Sequence, residues 1–288
     1  MKRLAIIGAG NVGKVLGTAL KAKSYQLAAA FCRTALSRRV AEQVLQCPVP
    51  ETAVQAAQAG DIVFITTPDR VIQEVCENIA AAGGFHPRQY VLHTSGAHSS
   101  AVLAAARAEG AYVLSFHPLQ TFPGLEVGLQ SLPGTFFAVE GDAPALALAA
   151  ELVAALGGKM LSIPTALKPL YHAAACVACN YLVTLMDAAL KMYAVMDIPA
   201  ENAMEALSPL LQGTLRNIAV LGPQQALTGP IARGDLPTIS CHRETLAHHC
   251  PSLLPLYNML GLDTVDLARR KGTLGEDEAH AIKQLLGG

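Results

Sequence analysis

The feature that most constrains this chain is a run of three glycines spaced Gly-x-Gly-x-x-Gly, at Gly8, Gly10 and Gly13. A short apolar segment, residues 4–7, precedes the run, and an amphipathic segment with helical spacing, residues 12–22, follows it. A strand, a glycine turn and a helix in this order are typical of a βαβ unit whose helix N-terminus binds the pyrophosphate of a dinucleotide. The spacing alone is weak evidence, but this context predicts a nicotinamide or flavin dinucleotide site.

Each glycine has a separate predicted role in that turn. Gly8 permits the tight turn, Gly10 lets the backbone approach the pyrophosphate, and Gly13 lets the helix pack closely against the strand. We expect the whole turn to contribute to the cofactor site, namely Gly8, Ala9, Gly10, Asn11, Val12 and Gly13.

The end of the second predicted strand indicates which dinucleotide is bound. Residues 27–32 form that strand, and Arg33, Thr34 and Ser37 follow it. An NAD site usually carries Asp or Glu here to accept hydrogen bonds from the ribose 2′-hydroxyl, whereas Arg33 suits the 2′-phosphate of NADP. We predict NADP rather than NAD, with Thr34 and Ser37 as neutral donors. The alternative is that Arg33 is an ordinary solvated charge.

Composition and charge limit the partners and the compartment. A chain of 288 residues is long enough for two domains, and its net charge of −1, without a basic run, argues against nucleic acid as the main partner. The seven cysteines do not show the spacing of a disulfide framework, and no signal peptide precedes the glycine turn. We expect reduced thiols and a cytoplasmic location.

One apolar segment, residues 169–186, is long enough to raise the question of a membrane span. It has no charged side chain but carries Tyr171, His172, Asn180 and Tyr181. We therefore expect a helix buried within the protein or in a dimer, and no membrane partner.

Five metal-capable side chains lie close together in the sequence, at Cys241, His242, His248, His249 and Cys250. Their spacing does not match the Cys-x-x-Cys or His-x-x-x-His patterns that are usual in structural zinc sites. We predict no metal site.

Further apolar segments predict a sheet in the first half of the chain. Besides residues 4–7, strands are predicted at residues 27–32, 61–66, 90–93, 111–116, 135–139 and 159–163. Strand signals stop after Pro164, and helices are predicted at residues 166–196, 200–221, 237–248 and 252–269. The sequence thus predicts an α/β fold, with a Rossmann-type doubly wound, mostly parallel sheet in residues 1–163 and an all-α domain in residues 164–288.

Polar residues end three of these strands, at the edge where parallel sheets bind ligands. Thr67 and Pro68 end the third strand and are predicted to contact the cofactor, as is Ser95 at the end of the fourth. Ser95, together with His117 at the end of the fifth, is also placed to meet the substrate. The alternatives are a helix cap for Ser95 and a structural turn for His117, at the start of a long loop predicted over residues 116–133.

These motifs resemble a known group of enzymes. The glycine turn, the strand end Thr67-Pro68-Asp69 and Lys168 at the start of a long helix resemble the β-hydroxyacid dehydrogenase group, which includes 6-phosphogluconate dehydrogenase, ketopantoate reductase and pyrroline-5-carboxylate reductase. A closer resemblance, to a family that pairs a Rossmann-like, NADP-oxidoreductase-like domain with a C-terminal domain of unknown function, rests on residues 93–97, 115–122, 168–172, 180 and 229–235. The resemblance implies a dinucleotide-binding reductase with a 6-phosphogluconate-dehydrogenase-C-terminal-like domain that forms homodimers.

Two polar residues one helical turn apart supply the predicted catalytic acid. Hydride transfer to a ketone or imine leaves negative charge on the acceptor atom, so a proton donor is required. Lys168 and His172 lie at i and i+4 on one helix face. The resemblance matches Lys168 to the general acid–base lysine of a Lys-x-x-x-Asn motif, in which His172 replaces the asparagine. Which of the two donates the proton is open, as is a structural role for both.

Three further residues are candidates for holding the substrate. Helical spacing returns Asn180 to about the face of Lys168, where it either holds the substrate or bonds a neighbouring helix or the other subunit. Arg233, in a turn predicted to be irregular, suits a substrate carboxylate through two parallel hydrogen bonds, with Asp235 close by. The alternative for Arg233 is an ion pair with Asp235 or with the partner chain.

Together these observations predict an NADP(H)-dependent oxidoreductase that transfers hydride to a small oxo acid, with a ketopantoate-like 2-oxo acid as the first substrate hypothesis. A pyrroline-5-carboxylate-like imine reductase is the second hypothesis, and a non-catalytic protein that senses NAD(P) is the third. The expected partners are the small-molecule substrate and a second copy of the chain.

Overall fold

The computed structural model describes residues 1–288, and the contacts within it divide the chain into two units, Met1–Cys179 and Asn180–Gly288. The first unit contains one sheet of seven strands, β1 (Arg3–Ile7), β2 (Gln26–Phe31), β3 (Ile62–Ile65), β4 (Tyr90–His93), β5 (Tyr112–Pro118), β6 (Phe136–Gly141) and β7 (Lys159–Ser162). The strand order is β2-β1-β3-β4-β5-β6-β7, and every neighbouring pair is parallel except β5 and β6. The predicted α/β class with a mostly parallel sheet is confirmed.

The central strands are apolar because helices cover both faces of the sheet. All of Ile62–Ile65 in β3 is fully buried. In β1, Leu4 and Ile6 belong to one apolar cluster, whereas Ala5 and Ile7 belong to another. This alternation follows from side chains pointing to opposite faces along a strand, so β1 joins the two halves of the core.

The helices of the first unit connect these strands. They are α1 (Asn11–Lys21), α2 (Ala35–Leu45), α3 (Ala53–Ala59), α4 (Ile72–Ala81), α5 (Ala104–Ala108), α6 (Leu125–Ser131), α7 (Ala143–Ala155) and α8 (Lys168–Ala175). The predicted loop over residues 116–133 is wrong in part, because α6 lies within it. Sequence patterns miss α6, like the other short helices α3 and α5, since a helix of two turns or fewer offers little periodicity to detect.

The strand order places a crevice at one edge of the sheet. The chain runs from β1 outward to β2 and then returns past β1 to β3, so β1 and β3 flank the point where the order reverses. Ligands of doubly wound sheets bind at this point, beyond the carboxyl ends of the strands.

The second unit is entirely helical. Its helices are α9 (Tyr181–Val195), α10 (Ala200–Ala226), α11 (Leu236–His249), α12 (Leu254–Lys271) and α13 (Glu276–Leu286). Ile239, Val265 and Ile282, from three of these helices, are fully buried in its apolar cluster. Helix α10 is interrupted at Gly222, where φ is +73°, just after the predicted helix end at residue 221. The following Pro223 cannot continue the hydrogen-bond pattern of the preceding turn.

The helix predicted over residues 166–196 is more complex than its sequence pattern. A π-helical segment, Cys176–Asn180, separates α8 from α9. The contacts group α8 with the first unit, so the division they give falls between Cys179 and Asn180 rather than at the predicted 163/164. The predicted boundary was placed after the last strand signal. In the structure Lys168, the first residue of α8, is fully buried, and α8 belongs to the unit that contains the sheet.

The stretch Thr165–Val195 is long and apolar enough to cross a membrane by length and composition, with a mean hydropathy of 1.6. One such helix is weak evidence for a membrane protein. Only 6% of its most apolar window is buried within the chain, so the expectation that the protein itself buries this helix is wrong. Burial in a dimer stays a prediction.

Candidate active site

A cleft of about 870 Å³ lies at the carboxyl ends of β1, β2 and β3, which is the crevice expected from the strand order. This volume is within the usual range of small-molecule sites. Ten of the residues predicted for the cofactor line it, namely Gly8, Ala9, Gly10, Asn11, Val12, Arg33, Thr34, Ser37, Thr67 and Pro68. The other two predicted residues, Gly13 and Ser95, do not line this cleft.

The glycine turn has the geometry that a bound pyrophosphate requires. Gly8 has φ of +95°, and a Cβ there would lie 2.8 Å from the Thr67 side chain, so only glycine fits without strain. A Cβ on Gly10 would meet no atom within 4 Å, which leaves its backbone open to the cleft. A Cβ on Gly13 would lie 2.5 Å from Thr66 Oγ1 and 2.8 Å from the Gly8 carbonyl oxygen. Gly13 therefore acts by letting α1 approach β1.

The groups around this turn fit a phosphorylated dinucleotide. No side chain caps the N-terminus of α1, so its first N–H groups remain available to an anion. The Thr67 hydroxyl lies in the wall of the cleft and is buried without a hydrogen-bond partner. Arg33 is exposed at the rim, where its guanidinium can reach a 2′-phosphate. These residues would hold NADP, with the pyrophosphate at α1 and the 2′-phosphate at Arg33.

Two of the predicted cofactor contacts also have structural roles. Thr34 caps α2, accepting a hydrogen bond from the Ser37 N–H at 3.2 Å, and the two hydroxyls lie 2.7 Å apart. The Asn11 side-chain amide donates to the carbonyl oxygens of Phe122 and Pro123, at 2.9 and 3.3 Å. The segment before α6 is therefore tied to the glycine turn.

Lys168 is the most unusual side chain of the first unit. It is fully buried, and its Nζ has no hydrogen-bond partner. Burial lowers its pKa to about 8, although the charges of Glu140 and Asp69 act in the opposite direction. Nζ lies 5.6 Å from the ring centre of Tyr171. A lysine with this pKa can both give and accept a proton near neutral pH.

Other predicted and unpredicted polar residues surround this lysine. His117 Nδ1 and the Tyr171 hydroxyl share a hydrogen bond of 2.9 Å. Burial, followed by the charges of Lys168 and His172, lowers the pKa of His117 to about 3, so the ring is neutral at physiological pH. Burial raises the pKa of Tyr171 to about 12. The sequence analysis missed Tyr171, whose only signal was its position three residues after Lys168.

His172 lies against the turn after β4. Its Nδ1 is buried without a partner, and its Nε2 lies 3.6 Å from Cys176 Sγ. A Cβ on Gly96 would clash with His172 Nδ1 and lie 2.9 Å from His117 Nε2. Gly96 therefore lets both histidines approach the end of β4. The structure thus brings together three residues that the sequence analysis named as candidates, His117, Lys168 and His172.

Ser95 does not cap a helix, which was the alternative in the sequence analysis, because the next helical turn is Ser100–Leu103 with Ser99 at its N-cap. Its Oγ accepts hydrogen bonds from the N–H groups of Ala97 and His98, at 3.2 and 3.1 Å, and donates to Asp69 Oδ2 at 2.6 Å. Asp69 lines the dinucleotide cleft, and its charge also acts on Lys168. The contact between Ser95 and Asp69 thus links the cleft to the lysine cluster.

The remaining candidates lie in the second unit. Asn180 is exposed, and its predicted face was extrapolated from α-helical spacing, which the π-helical segment interrupts. Arg233 ends a short 3₁₀ turn, Ile231–Arg233, and lies 4.0 Å from Asp235 with most of its side chain exposed. Asp235 caps α11, accepting from the N–H and hydroxyl of Thr238 at 3.2 and 2.7 Å. Its carboxylate is therefore engaged within the chain.

The structure brings no three His, Cys, Asp or Glu side chains together in an arrangement that could hold a metal ion. In the cysteine–histidine segment of α11, His242 Nδ1 shares a hydrogen bond of 3.0 Å with the Tyr257 hydroxyl.

Two family models match parts of the chain. Residues 2–118 match the Rossmann-like domain, and residues 135–264 match the domain of unknown function DUF2520. The chain thus carries a Rossmann-like domain followed by a DUF2520 domain, and the resemblance found in its motifs is confirmed. No curated protein matches the chain.

Solved structures of the same fold cover nearly the whole chain. A Bacteroides fragilis protein provisionally named an NADP oxidoreductase has a TM-score of 0.74 and 22% identity, over 92% of this chain and 98% of its own. A pyrroline-5-carboxylate reductase of Streptococcus pyogenes has a TM-score of 0.60 and 17% identity, over 98% of each chain. A reductive aminase of Aspergillus terreus, solved with NADPH and ethyl levulinate, has a TM-score of 0.64 and 17% identity, over 100% of this chain and 93% of its own.

Proposed function

We propose that this protein is an NADP(H)-dependent oxidoreductase that transfers hydride to the carbonyl carbon of a small oxo acid, with Lys168 as the proton donor. The observation that carries the proposal is a fully buried, unpaired lysine whose pKa lies near 8 and whose neighbour Asp69 lines the dinucleotide cleft. The names of the similar structures, an NADP oxidoreductase, a pyrroline-5-carboxylate reductase and a reductive aminase, support the broader class of NADP-dependent oxidoreductase.

The cofactor site supports NADP rather than NAD. The rim of the cleft presents the Arg33 guanidinium and the hydroxyls of Thr34 and Ser37, and Arg33 forms no side-chain hydrogen bond or ion pair within the chain. A cationic fork without a carboxylate beside it suits a phosphate dianion. When bound, the reduced cofactor supplies the hydride.

Proton transfer is the part of the reaction that this chain's own residues perform. Lys168 in its ammonium form donates a proton to the substrate oxygen as negative charge develops there, and the neutral amine then regains a proton from solvent. The neutral His117 ring and the Tyr171 hydroxyl, joined by their hydrogen bond, orient the carbonyl group beside the ammonium. His172 is the second candidate for the donor because its Nδ1 has no partner.

A ketopantoate-like 2-oxo acid is the first substrate class, and reduction of a C=N bond is the second. The imine alternative is favoured by the similarity to a pyrroline-5-carboxylate reductase and to a reductive aminase. In either case we propose that Arg233 binds the substrate carboxylate, since most of its side chain is exposed and Asp235 is engaged as a helix cap. We also propose a cytoplasmic enzyme that acts as a homodimer.

Replacing Lys168 by Met tests the assignment. With NADPH and a panel of 2-oxo acids and cyclic imines, we expect Lys168→Met to lower kcat by about 100-fold or more, as loss of a general acid does. The affinity for NADPH, measured by fluorescence titration, should stay unchanged because the cleft is intact. The matched control is Lys159→Met, which replaces an exposed lysine on β7 of the same unit.

Three outcomes distinguish the hypotheses. Equal turnover by Lys168→Met and the wild type would show that Lys168 is not the proton donor. The donor would then be His172, or neither of these two residues. Turnover with imines but not with oxo acids would select the second substrate class. A protein that binds NADPH but turns over none of the panel would support the third hypothesis, a sensor of nicotinamide redox state.

A further inference from the structure

A row of polar side chains crosses the sheet within its apolar core. His93 in β4 lies opposite Ser115 in β5, and Ser115 lies opposite Glu140 in β6. Residues in register on neighbouring strands project from the same face of a sheet. All three are buried, at 0%, 0% and 5% exposure. Burying polar groups is costly unless they are paired, so the hydrogen-bond partners of this row show how the fold tolerates it.

Glu140 is the charged member of the row, and three donors converge on it. Oε1 accepts a hydrogen bond from the Ser100 N–H at 2.6 Å. Oε2 accepts from the hydroxyls of Ser100 and Thr165, each at 2.9 Å. Glu140 is therefore a buried carboxylate held by three hydrogen bonds.

One of those donors connects Glu140 to the catalytic helix. Thr165 opens the 3₁₀ turn Thr165–Leu167, which runs directly into Lys168 at the start of α8. The bond from Thr165 to the carboxylate fixes the start of this turn to β6. The position of the Lys168 backbone relative to the sheet thus depends on a residue in a different element, 28 positions earlier in the chain.

The ionisable groups around Lys168 come from five elements, namely Asp69, His93, His117, Glu140, Tyr171 and His172. The pKa of each of His93 and His117 is lowered to about 3, so their rings are neutral. Asp69 and Glu140 are the two carboxylates of this set, and Asp69 is exposed and bonded to Ser95. A buried charge acts through a lower dielectric than an exposed one.

We infer that Glu140 is a positioning residue for Lys168: it anchors the start of α8 through Thr165 and supplies the buried negative charge that keeps the lysine protonated. In a site without this charge, burial would leave a larger fraction of the amine neutral and unable to donate a proton near pH 7. This inference rests on the proposed function only for the expected effect on kcat. The effect of Glu140 on the pKa of Lys168 does not depend on the reaction.

The test is the pKa of Lys168 in a Glu140→Gln variant, measured by pH titration of the lysine ¹³Cε NMR signals and assigned with Lys168→Met. The glutamine keeps the network, since its oxygen can accept from the Ser100 N–H and its NH₂ can donate to the two hydroxyls. We expect the Lys168 pKa to fall by about one unit or more. The matched control, Glu151→Gln, removes an exposed carboxylate of the same unit and should leave the pKa unchanged.

A second variant separates anchoring from charge. Thr165→Val breaks the link to α8 but retains the carboxylate, so we expect a lower kcat with nearly the same Lys168 pKa. A Lys168 pKa in Glu140→Gln equal to that of the wild type would overturn the inference. Because the titration uses no substrate, this result is distinct from failure of the proposed reaction, which would show as absent turnover in the wild type.

If Glu140→Gln does not fold, the wild-type protein supplies the same answer. The ¹³Cδ signal of Glu140, assigned through its displacement in Thr165→Val, should show a step at the pKa of Lys168. That step should vanish in Lys168→Met, which replaces a buried amine by an apolar side chain. A Glu140 signal without the step would overturn the inference.

Discussion

At the scale of single residues, the environment of Lys168 determines what the candidate site can do. An exposed lysine is protonated throughout the physiological range and is a poor proton donor at neutral pH. Enclosure of Lys168 without a hydrogen-bond partner lowers its pKa to about 8, from the usual value of 10.5. Exclusion of water, rather than an ion pair, therefore brings the pKa of Lys168 into the range that suits acid–base chemistry.

The pKa of Lys168 predicts the pH dependence of the reaction. The protonated form is the donor for reduction, and it predominates below the pKa and is lost above it. We therefore expect kcat for reduction to be constant at pH 6–7 and to fall about tenfold per pH unit above about 8. Oxidation of the product alcohol needs the neutral amine, so its kcat should rise through the same pH range. A reduction rate independent of pH between 7 and 10, measured with saturating cofactor, would contradict the role of Lys168.

Arg33 determines the predicted choice of cofactor. We expect Arg33→Ala to weaken NADPH binding by about 10-fold or more, because a charge-assisted contact to the 2′-phosphate is lost, and to leave NADH binding unchanged. The control is Arg39→Ala, which removes a nearby exposed guanidinium that does not line the cleft. Calorimetric titration of both nucleotides provides the measurement. Tighter binding of NADH than NADPH by the wild type would remove the argument for NADP.

At the scale of elements, the first strand, turn and helix were predictable because their pattern is local. The three glycines follow a strand of four buried residues, and each glycine meets a different requirement within thirteen residues of sequence. The π-helical segment Cys176–Asn180 was not predictable in the same way. Its residues are apolar enough for an ordinary helix, and nothing in their local pattern indicates the change in hydrogen bonding.

The glycine turn yields a prediction that separates binding from stability. Gly10→Ala adds a methyl group that meets no atom, so we expect a change in unfolding free energy below about 1 kcal/mol but NADPH binding about tenfold weaker. Gly13→Ala forces its Cβ against the Gly8 carbonyl, so we expect destabilisation by about 1–3 kcal/mol. Denaturant unfolding and NADPH titration of both variants provide the comparison.

A matched control for Gly10→Ala is Gly124→Ala, since a Cβ on Gly124 also meets no atom and this residue does not line the cleft. It should alter neither stability nor NADPH binding. Tight NADPH binding by Gly10→Ala would show that the pyrophosphate does not approach this turn.

At the scale of the whole molecule, the helical unit exposes many large apolar side chains. Val183, Leu210 and Val220 are 71%, 67% and 80% exposed, and further large apolar side chains of α9 and α10 are exposed with them. Large apolar side chains exposed in number are typical of an interface. We propose that a second copy of the chain covers these side chains, in the homodimer that the resemblance implies.

This interface can be tested by its apolar residues. We expect the wild type to sediment as a dimer and the double variant Val183→Asp/Leu210→Asp to sediment as a monomer, because burying two carboxylates in an apolar interface is unfavourable. Leu36→Asp, at a residue of α2 that is 75% exposed, is the control and should remain dimeric. A wild-type monomer at micromolar concentration in sedimentation velocity would contradict the proposal.

By itself, the sequence determined the features that depend on neighbours along the chain: the α/β class, the glycine turn, most strands and helices, and the family resemblance. Hydrophobic periodicity and turn chemistry act over a few residues, so they are visible without a fold. The tertiary structure decided which polar residues meet. Asp69, His117, Glu140 and Lys168 come from segments far apart in the sequence, and the enclosure that lowers the lysine pKa exists only once those segments pack and exclude water.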